Sequence, residues 1–519
     1  MTHVVILGAG IAGVPTAYAL KARLGPHDEV TVVSDKPYFH FVPSNPWVAM
    51  GWRERADIAF PIAPYLESRG IKFIHSGVKR IQPEVRQIDL ENGDGLFYDI
   101  LLIATGVVGM RDDIPGLAEY THSVIHIDEA ERALAAYREF VRHPGPIVVG
   151  AAPGASVLGP LYEYAFLVDA DLKRRNIRER VPITLVTPEP WPGHLGLGSE
   201  DTSRGALAAA LTDNKISVIC NARTLRIDQD IIHVVELDAA GNEKQTHTLP
   251  YAYSVYWPVF GGVPGIRSAT GLVDEHGLVQ VDEYLRNPNY PNVFALGTCA
   301  AQPAVTKTPV PVGAPDSAYS IQKAGEIVVQ NILAQLGDAP LASHVPQRVK
   351  WLSDMGNTGA AYLSEPQVPL RNINWMRQGR WVHQAKVDFE RYFINKIRLQ
   401  PEPAGQASSA ASSIADVMGR LLGERQGGEQ MPPPTASGSG QPMEIWLPQD
   451  PWIELRALAK SVGHDPDALA AELLAAAVSD AKSYLSEPGV EAMTHARREL
   501  LVEALPERQP GVQFSGGGT

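Results

Sequence analysis

His3-Val4-Val5-Ile6-Leu7-Gly8-Ala9-Gly10-Ile11-Ala12-Gly13 opens the chain with a short apolar run that ends on a GxGxxG motif. The run reads as a buried strand. Beyond it Ile11, Val14, Ala17, Leu20 and Leu24 recur at helical spacing until Gly25-Pro26 stops the helix. Residues 30–33 read as a second buried strand, so the chain begins with a βαβ unit. In such a unit Gly8 permits the tight turn, Gly10 lets a pyrophosphate come close to the backbone past Ala9, and Gly13 lets helix and strand pack. The helix N-terminus offers amide donors and positive potential to the phosphates. Asp35, or Ser34 beside it, follows the second strand and suits a hydrogen bond to an adenosine ribose.

The rest of the chain is large enough to extend this beginning. With 519 residues, 45% hydrophobic and 20% charged, it exceeds one core and predicts two intertwined α/β domains with additions. The net charge of −13 argues against nucleic acid and against a generally basic membrane-binding face, leaving a local peripheral membrane contact open. Two cysteines, Cys220 and Cys299, exclude a disulfide-rich secreted fold, and no CxxC, Cys/His or HExxH spacing suggests a metal. The N-terminus runs straight into the nucleotide motif and is not read as a signal peptide. No apolar run approaches the ~20 residues of a membrane-spanning helix. A cytoplasmic protein is expected.

A second strand-turn-helix starts at residues 146–150, and a further strand is expected at 183–187. The fold class is therefore α/β with two Rossmann-like dinucleotide-binding domains, the first interrupted by the second, and a C-terminal helical module. The expected divisions are 1–108 and 280–335 for the first domain, 109–279 for the second, and 336–398 for an aromatic-rich segment. Residues 399–442 are rich in Pro, Gly, Ser and Gln and read as a flexible linker. Within the linker, Ile414, Val417, Met418, Leu421 and Leu422 share one helical face. Residues 443–510 read as a small helical module, since Asp450-Pro451 and Asp465-Pro466 each place a cap before a first-turn proline; 511–519 is a tail.

The motif alone leaves NAD and FAD open. Tyr98 through Ile103-Ala104-Thr105-Gly106 resembles the "ATG" strand of flavoprotein reductases, and Asn292 through Ala295-Leu296-Gly297-Thr298 resembles their C-terminal flavin-contacting strand. The resemblance implies FAD, with Val78 near the adenine and Pro43 and Ser44 near the flavin. The second motif, Gly150-Ala151-Ala152-Pro153-Gly154-Ala155, has alanine at its second and third glycine positions, and Thr187-Pro188-Glu189 lacks a clean ribose-binding acid; both disfavour NAD(P)H.

Longer stretches are similar to the sulfide:quinone oxidoreductase family. They are Phe39-His40-Phe41 through Trp52-Arg53, Gly154 through Tyr162-Glu163, Glu189-Pro190-Trp191-Pro192-Gly193-His194 through Gly198, and Thr308-Pro309-Val310-Pro311. Asp354-Met355-Gly356-Asn357-Thr358-Gly359, Asn374-Trp375 and Phe389 through Phe393 complete the series, so the similarity spans about residues 1–398. It implies FAD, a redox cysteine pair beside it, and a membrane quinone as acceptor, with Tyr392 and Phe393 as candidates for an aromatic quinone pocket or, equally, for core aromatics. Glu163 and His194 match family positions near the substrate side and are candidate acids or bases, or a hydrogen-bonded framework.

The chain departs from the family where its chemistry is done. The resemblance places cysteine at three positions that here are Ile125, Val157 and Trp351, puts Asp316 where lysine is usual and Glu129 where a histidine often follows. None of the three can accept sulfur or relay electrons as a thiolate does. Cys299 and Cys220 both read as small buried residues. The expectation is an FAD-dependent oxidoreductase that passes electrons from a small reductant through FAD to quinone or another acceptor. Two alternatives stand beside it: a type II NADH:quinone oxidoreductase-like enzyme, and a non-catalytic flavoprotein subunit that binds a protein partner through 401–510.

Overall fold

A computed structural model describes residues 1–198, 202–337, 339–343, 349–365 and 373–399. By internal contacts the chain divides into Met1–Gln400 and Pro401–Thr519. The second unit, with the helical face expected at 414–422, the helical module and the tail, lies outside the described residues, as does nearly all of the expected linker.

Along the chain the elements that position the site are β1 (His3–Leu7), α1 (Gly13–Lys21), β2 (Glu29–Ser34), α2 (Asn45–Ala49), β3 (Lys72–His75), β4 (Val78–Gln82) and β5 (Ile100–Ile103). The second half supplies β6 (Ile147–Ala151), α3 (Gly159–Arg174), β7 (Ile183–Val186), β8 (Ile216–Ile219) and β9 (Tyr253–Trp257). Then follow β10 (Val293–Ala295), α4 (Ala318–Leu336), β11 (Val349–Asp354), β12 (Gly359–Glu365), β13 (Ile373–Gly379) and α5 (Arg380–Arg398).

Two parallel sheets result, ordered β10-β5-β1-β2-β3 and β8-β7-β6-β9. Their central strands β1, β5 and β6 are apolar and buried on both faces, as a parallel sheet covered on both sides requires. Val4 and Ile6 face one core while Val5 and Leu7 face another. The first of these cores also takes Ile147, Val149 and Ala151 of β6, so one continuous apolar interior joins the two sheets. An antiparallel ribbon, Val108–Met110 against Val259–Gly261, carries the chain from the first sheet toward the second and back.

Ile266, Ala269 and Leu272 bury themselves with Val5, Leu7 and Val33 of the first sheet. The approach there is close: a Cβ on Gly265 would stand 1.8 Å from the Val78 carbonyl oxygen at the start of β4. The segment expected to be aromatic-rich folds as the antiparallel sheet β11-β12-β13 followed by α5. Among the described residues no helix is long and apolar enough to cross a membrane.

Gly265→Ala therefore destabilises the fold, because the clash is with backbone and not with a side chain that can rotate. A loss of about 2–3 kcal/mol in urea unfolding is expected.

Candidate functional site

Three turns meet at the C-terminal ends of the parallel strands β1, β5 and β10, where open α/β sheets receive ligands. They are Gly8–Gly13, residues 104–106 and residues 297–298. Gly8 has φ +113°, and a Cβ there would lie 2.2 Å from the Ala104 carbonyl oxygen. A Cβ on Gly13 would lie 2.0 Å from the Gly8 carbonyl oxygen. Gly10 differs: a Cβ there would meet no atom within 4 Å, so its backbone faces open space. Ala9, between them, is buried. Gly106 and Gly297 both take positive φ, and the Thr298 Oγ1 lies 4.0 Å from the Cβ position of Gly106.

Two helices aim their N-termini at this cradle. Gly297 approaches Ala12 on one side and Ile321 of α4 on the other. One turn further along, Gly325 of α4 faces Thr16 of α1. The helices thus run side by side in the same direction and bring two positive ends together. No side chain caps α1. At the edge of the sheet Asp35 is well exposed beside Lys36, and the Ser34 hydroxyl accepts from the Lys36 amide at 3.2 Å. Val78 is half-buried at the head of β4. This is the arrangement a dinucleotide needs: an open glycine for the pyrophosphate, amide donors at the helix ends and an accessible acid for the ribose.

The corresponding turn after β6 is built otherwise. Seven residues (152–158) separate β6 from α3, against five (8–12) between β1 and α1. The longer loop is strapped to residues 311–314: the Gly154 amide donates to Pro311 O at 2.7 Å, Gly313 to Ala155 O at 2.9 Å, and Val157 to Ala314 O at 3.4 Å. Val157 sits at φ +55°, a costly conformation for a β-branched residue. At the start of α3 the indole of Trp351 packs onto Gly159, where a Cβ would come within 2.1 Å of the ring. Glu189, which follows β7, is fully buried and is no ribose ligand. It accepts from Tyr162, from Thr187 Oγ1 at 2.6 Å and from the Leu195 amide at 2.6 Å, and burial raises its carboxyl to about 7.

Glu163 and His194 serve different neighbourhoods. Glu163 is buried on α3 and forms an ion pair with Lys386 of α5, itself buried. Burial raises the Glu163 carboxyl to about 7, against the pull of Lys386. The Lys386 ammonium stands 4.9 Å from the ring centroid of Trp47. Trp47 Nε1 donates to Asp354 at 2.7 Å, and His383 Nδ1 and Asp354 lie 2.9 Å apart. These charges tie α2, α3, β11 and α5 together, and sequence reading missed Lys386, Asp354 and His383 because their partners lie far away along the chain. His194 is buried under Trp191; its Nδ1 accepts from the Gly196 amide at 3.2 Å, and its Nε2 lies 3.3 Å from Thr306 Oγ1.

Other expected positions are spoken for. The Ser44 hydroxyl donates to Glu390, which also holds Arg53, so this side chain is spent inside the core; Pro43 beside it is half-buried. Phe393 is a core aromatic among Phe39, Phe41 and Phe389, with centroids 5.3–6.3 Å apart, while Tyr392 is half-buried, and burial, with Glu326 adding to it, raises its hydroxyl above the usual range. Cys299 is buried and donates to Ile103 O and Leu296 O at 3.3 Å each, and burial raises its thiol further.

Gly10 and Gly13 separate binding from folding. Gly10→Val should leave urea stability within about 1 kcal/mol and abolish bound FAD, seen in the visible spectrum; Gly13→Val should cost about 3 kcal/mol. Lys386→Met should destabilise by about 3 kcal/mol near pH 8, because the buried Glu163 loses its cation and must either stay charged in a dry site or take up a proton that the unfolded chain does not hold. The raised carboxyl takes up a proton as pH falls, so the loss should shrink toward about pH 5; urea unfolding across that range checks it.

Comparison with known proteins agrees with this geometry. The profile of the pyridine nucleotide-disulphide oxidoreductase family matches residues 2–325. The sulfide-quinone reductase of Aquifex aeolicus is 34% identical over 401 residues, covering 76% of this chain and 91% of that protein. The crystal structure of the sulfide:quinone oxidoreductase from the same bacterium superposes with a TM-score of 0.73 at 33% identity, over 77% of this chain and 92% of that one. A type II NADH:quinone oxidoreductase of Staphylococcus aureus is 24% identical, over 63% of this chain and 81% of its own. With a glycine cradle that fits a dinucleotide and these similarities together, the chain belongs to the pyridine nucleotide-disulphide oxidoreductases, within them to the sulfide-quinone reductase group, and is an FAD-dependent oxidoreductase.

Proposed function

We propose that this enzyme passes electrons from a small reductant through FAD to a quinone or another acceptor, and that sulfide is not its donor. Bound FAD supplies the two-electron carrier. The residues proposed to hold it are Gly8, Ala9, Gly10 and Gly13 at the pyrophosphate, Ser34 and Asp35 at the ribose, and Val78 at the adenine. Pro43, the backbone at Ser44, and residues 104–106, 297 and 298 are proposed at the flavin. The quinone side rests on the names of two relatives, a sulfide-quinone reductase and a type II NADH:quinone oxidoreductase. A peripheral membrane contact and a protein partner at 401–510 belong to the same proposal.

The observation that carries the reading is Trp351. The resemblance sets a redox cysteine at this position, and here an indole fills the space against Gly159. Val157 and Ile125, at the other two positions, are apolar, and Ile125 is buried. Sulfide oxidation through the protein needs a sulfur atom that can be attacked and then released. Cys299, the buried thiol at the end of β10, is held by two carbonyls and raised above its usual range, which disfavours the thiolate. The strapped loop at 152–158 and the buried Glu189 speak against NADH as donor in the same way, since neither a free phosphate turn nor a ribose acid is offered.

Anaerobic titration of the FAD-loaded protein, followed by flavin absorbance, decides between donors. Sulfide and NADH should leave the flavin oxidised over the time in which dithionite bleaches it fully. Rapid bleaching by sulfide with turnover on a soluble quinone overturns the proposal, and rapid bleaching by NADH selects the NADH:quinone alternative.

A further inference from the structure

We propose that Asp316 is a proton acceptor coupled to the flavin: when two electrons enter the bound cofactor, its carboxylate takes one proton from solvent in addition to the one the flavin binds. The inference rests on the FAD reading above and adds a role for a residue of this chain. Asp316 ends the strap that runs beside residues 154–157 and directly precedes Ser317, the N-cap of α4. The first turn of α4 touches Gly297 through Ile321, and the preceding Pro315 touches the Gly196 turn. Asp316 therefore stands between the Val157 turn and the cradle, at one of the two helix ends directed there.

Its two oxygens differ. Oδ1 accepts from the Ser317 amide at 2.8 Å and from the Ser320 hydroxyl at 2.6 Å. Oδ2 is buried and, among the described residues, has no hydrogen-bond partner. A buried carboxylate oxygen without a donor is costly when charged and acceptable when it carries the proton itself. Burial raises the carboxyl to about 6, opposed by hydrogen bonds from Ser320 and Ser317; among the described residues no cation acts on it.

The titratable neighbours can be named element by element. On α4 they are Tyr319 and Lys323, the latter paired with Glu326. On β11 it is Lys350, whose ammonium stands 4.4 Å from the Tyr319 ring centroid. The Gly196 turn brings His194 and the end of β10 brings Cys299, while residues 311–315 and 154–157 bring none. Negative charge added in the cradle raises a carboxyl close by, as a like charge in a dry site does. The balance is two electrons from any donor, one proton to the flavin and one to Asp316. Reoxidation releases both protons.

Spectroelectrochemical titration of FAD-loaded protein across about pH 5 to 8 reads this directly. Below about pH 6, where Asp316 is already protonated, the midpoint potential should fall with the slope of one proton per two electrons. Above it the slope should double. Asp316→Asn should show the single-proton slope throughout, with a potential above the wild type's only at the higher pH. Proton uptake on photoreduction of the wild type, read with an indicator dye in weak buffer and corrected for the protons the oxidised donor releases, gives the same count without a variant. A wild-type slope of one proton throughout, or a doubled slope that survives Asp316→Asn, overturns the inference while the FAD reading stands. A protein that takes up no FAD overturns both.

Discussion

The approach of the Gly13 backbone to the Gly8 carbonyl is the constraint on which the rest of the site depends. A Cβ would reach within 2.0 Å of that oxygen, so only glycine lets α1 sit so close over β1. This closeness points the first helical amides at the ends of three parallel strands. It also sets α1 where α4 can lie against it through Thr16 and Gly325. Two helix ends and three glycine turns then share one crevice, although they come from residues 8 to 321.

A second dependence runs through charge. Glu163, Lys386, Asp354, His383 and the Trp47 indole form a buried polar hub between the second sheet's helix and the C-terminal helix. Apolar packing alone would allow these elements to slide. Buried hydrogen-bonded charges tolerate little displacement, because each shift leaves a group unpaired in a dry interior. The hub therefore holds α5 and β11 in one register against α3, and with them the Trp351 indole against Gly159.

The second dinucleotide turn shows a fold retained while its chemistry is withdrawn. Strand, loop and helix persist, yet the loop amides bond to residues 311–314 and an indole covers the start of the helix. Val157 keeps a left-handed backbone that suits it poorly. The strap that stabilises this turn also ends at Asp316, so the altered loop and the altered acid are parts of one rearrangement beside the cradle.

Periodicity and glycine spacing in the sequence by themselves determined the two parallel-sheet units and the Gly8–Gly13 turn, because those signals are local: apolar runs for buried strands, 3.6-residue recurrence for α1, and glycines where backbone must approach backbone; residues 104–106 and 297–298 came from resemblance alone. The same local signal marked the weakness of the second motif. Tertiary structure alone decided which side chains meet. It paired Glu163 with Lys386 across more than two hundred residues, turned Phe393 into the core, spent the Ser44 hydroxyl on Glu390, and set Gly265 against the Val78 carbonyl. Burial and long-range contact fix those outcomes, and neither is written in the neighbourhood of the residue concerned.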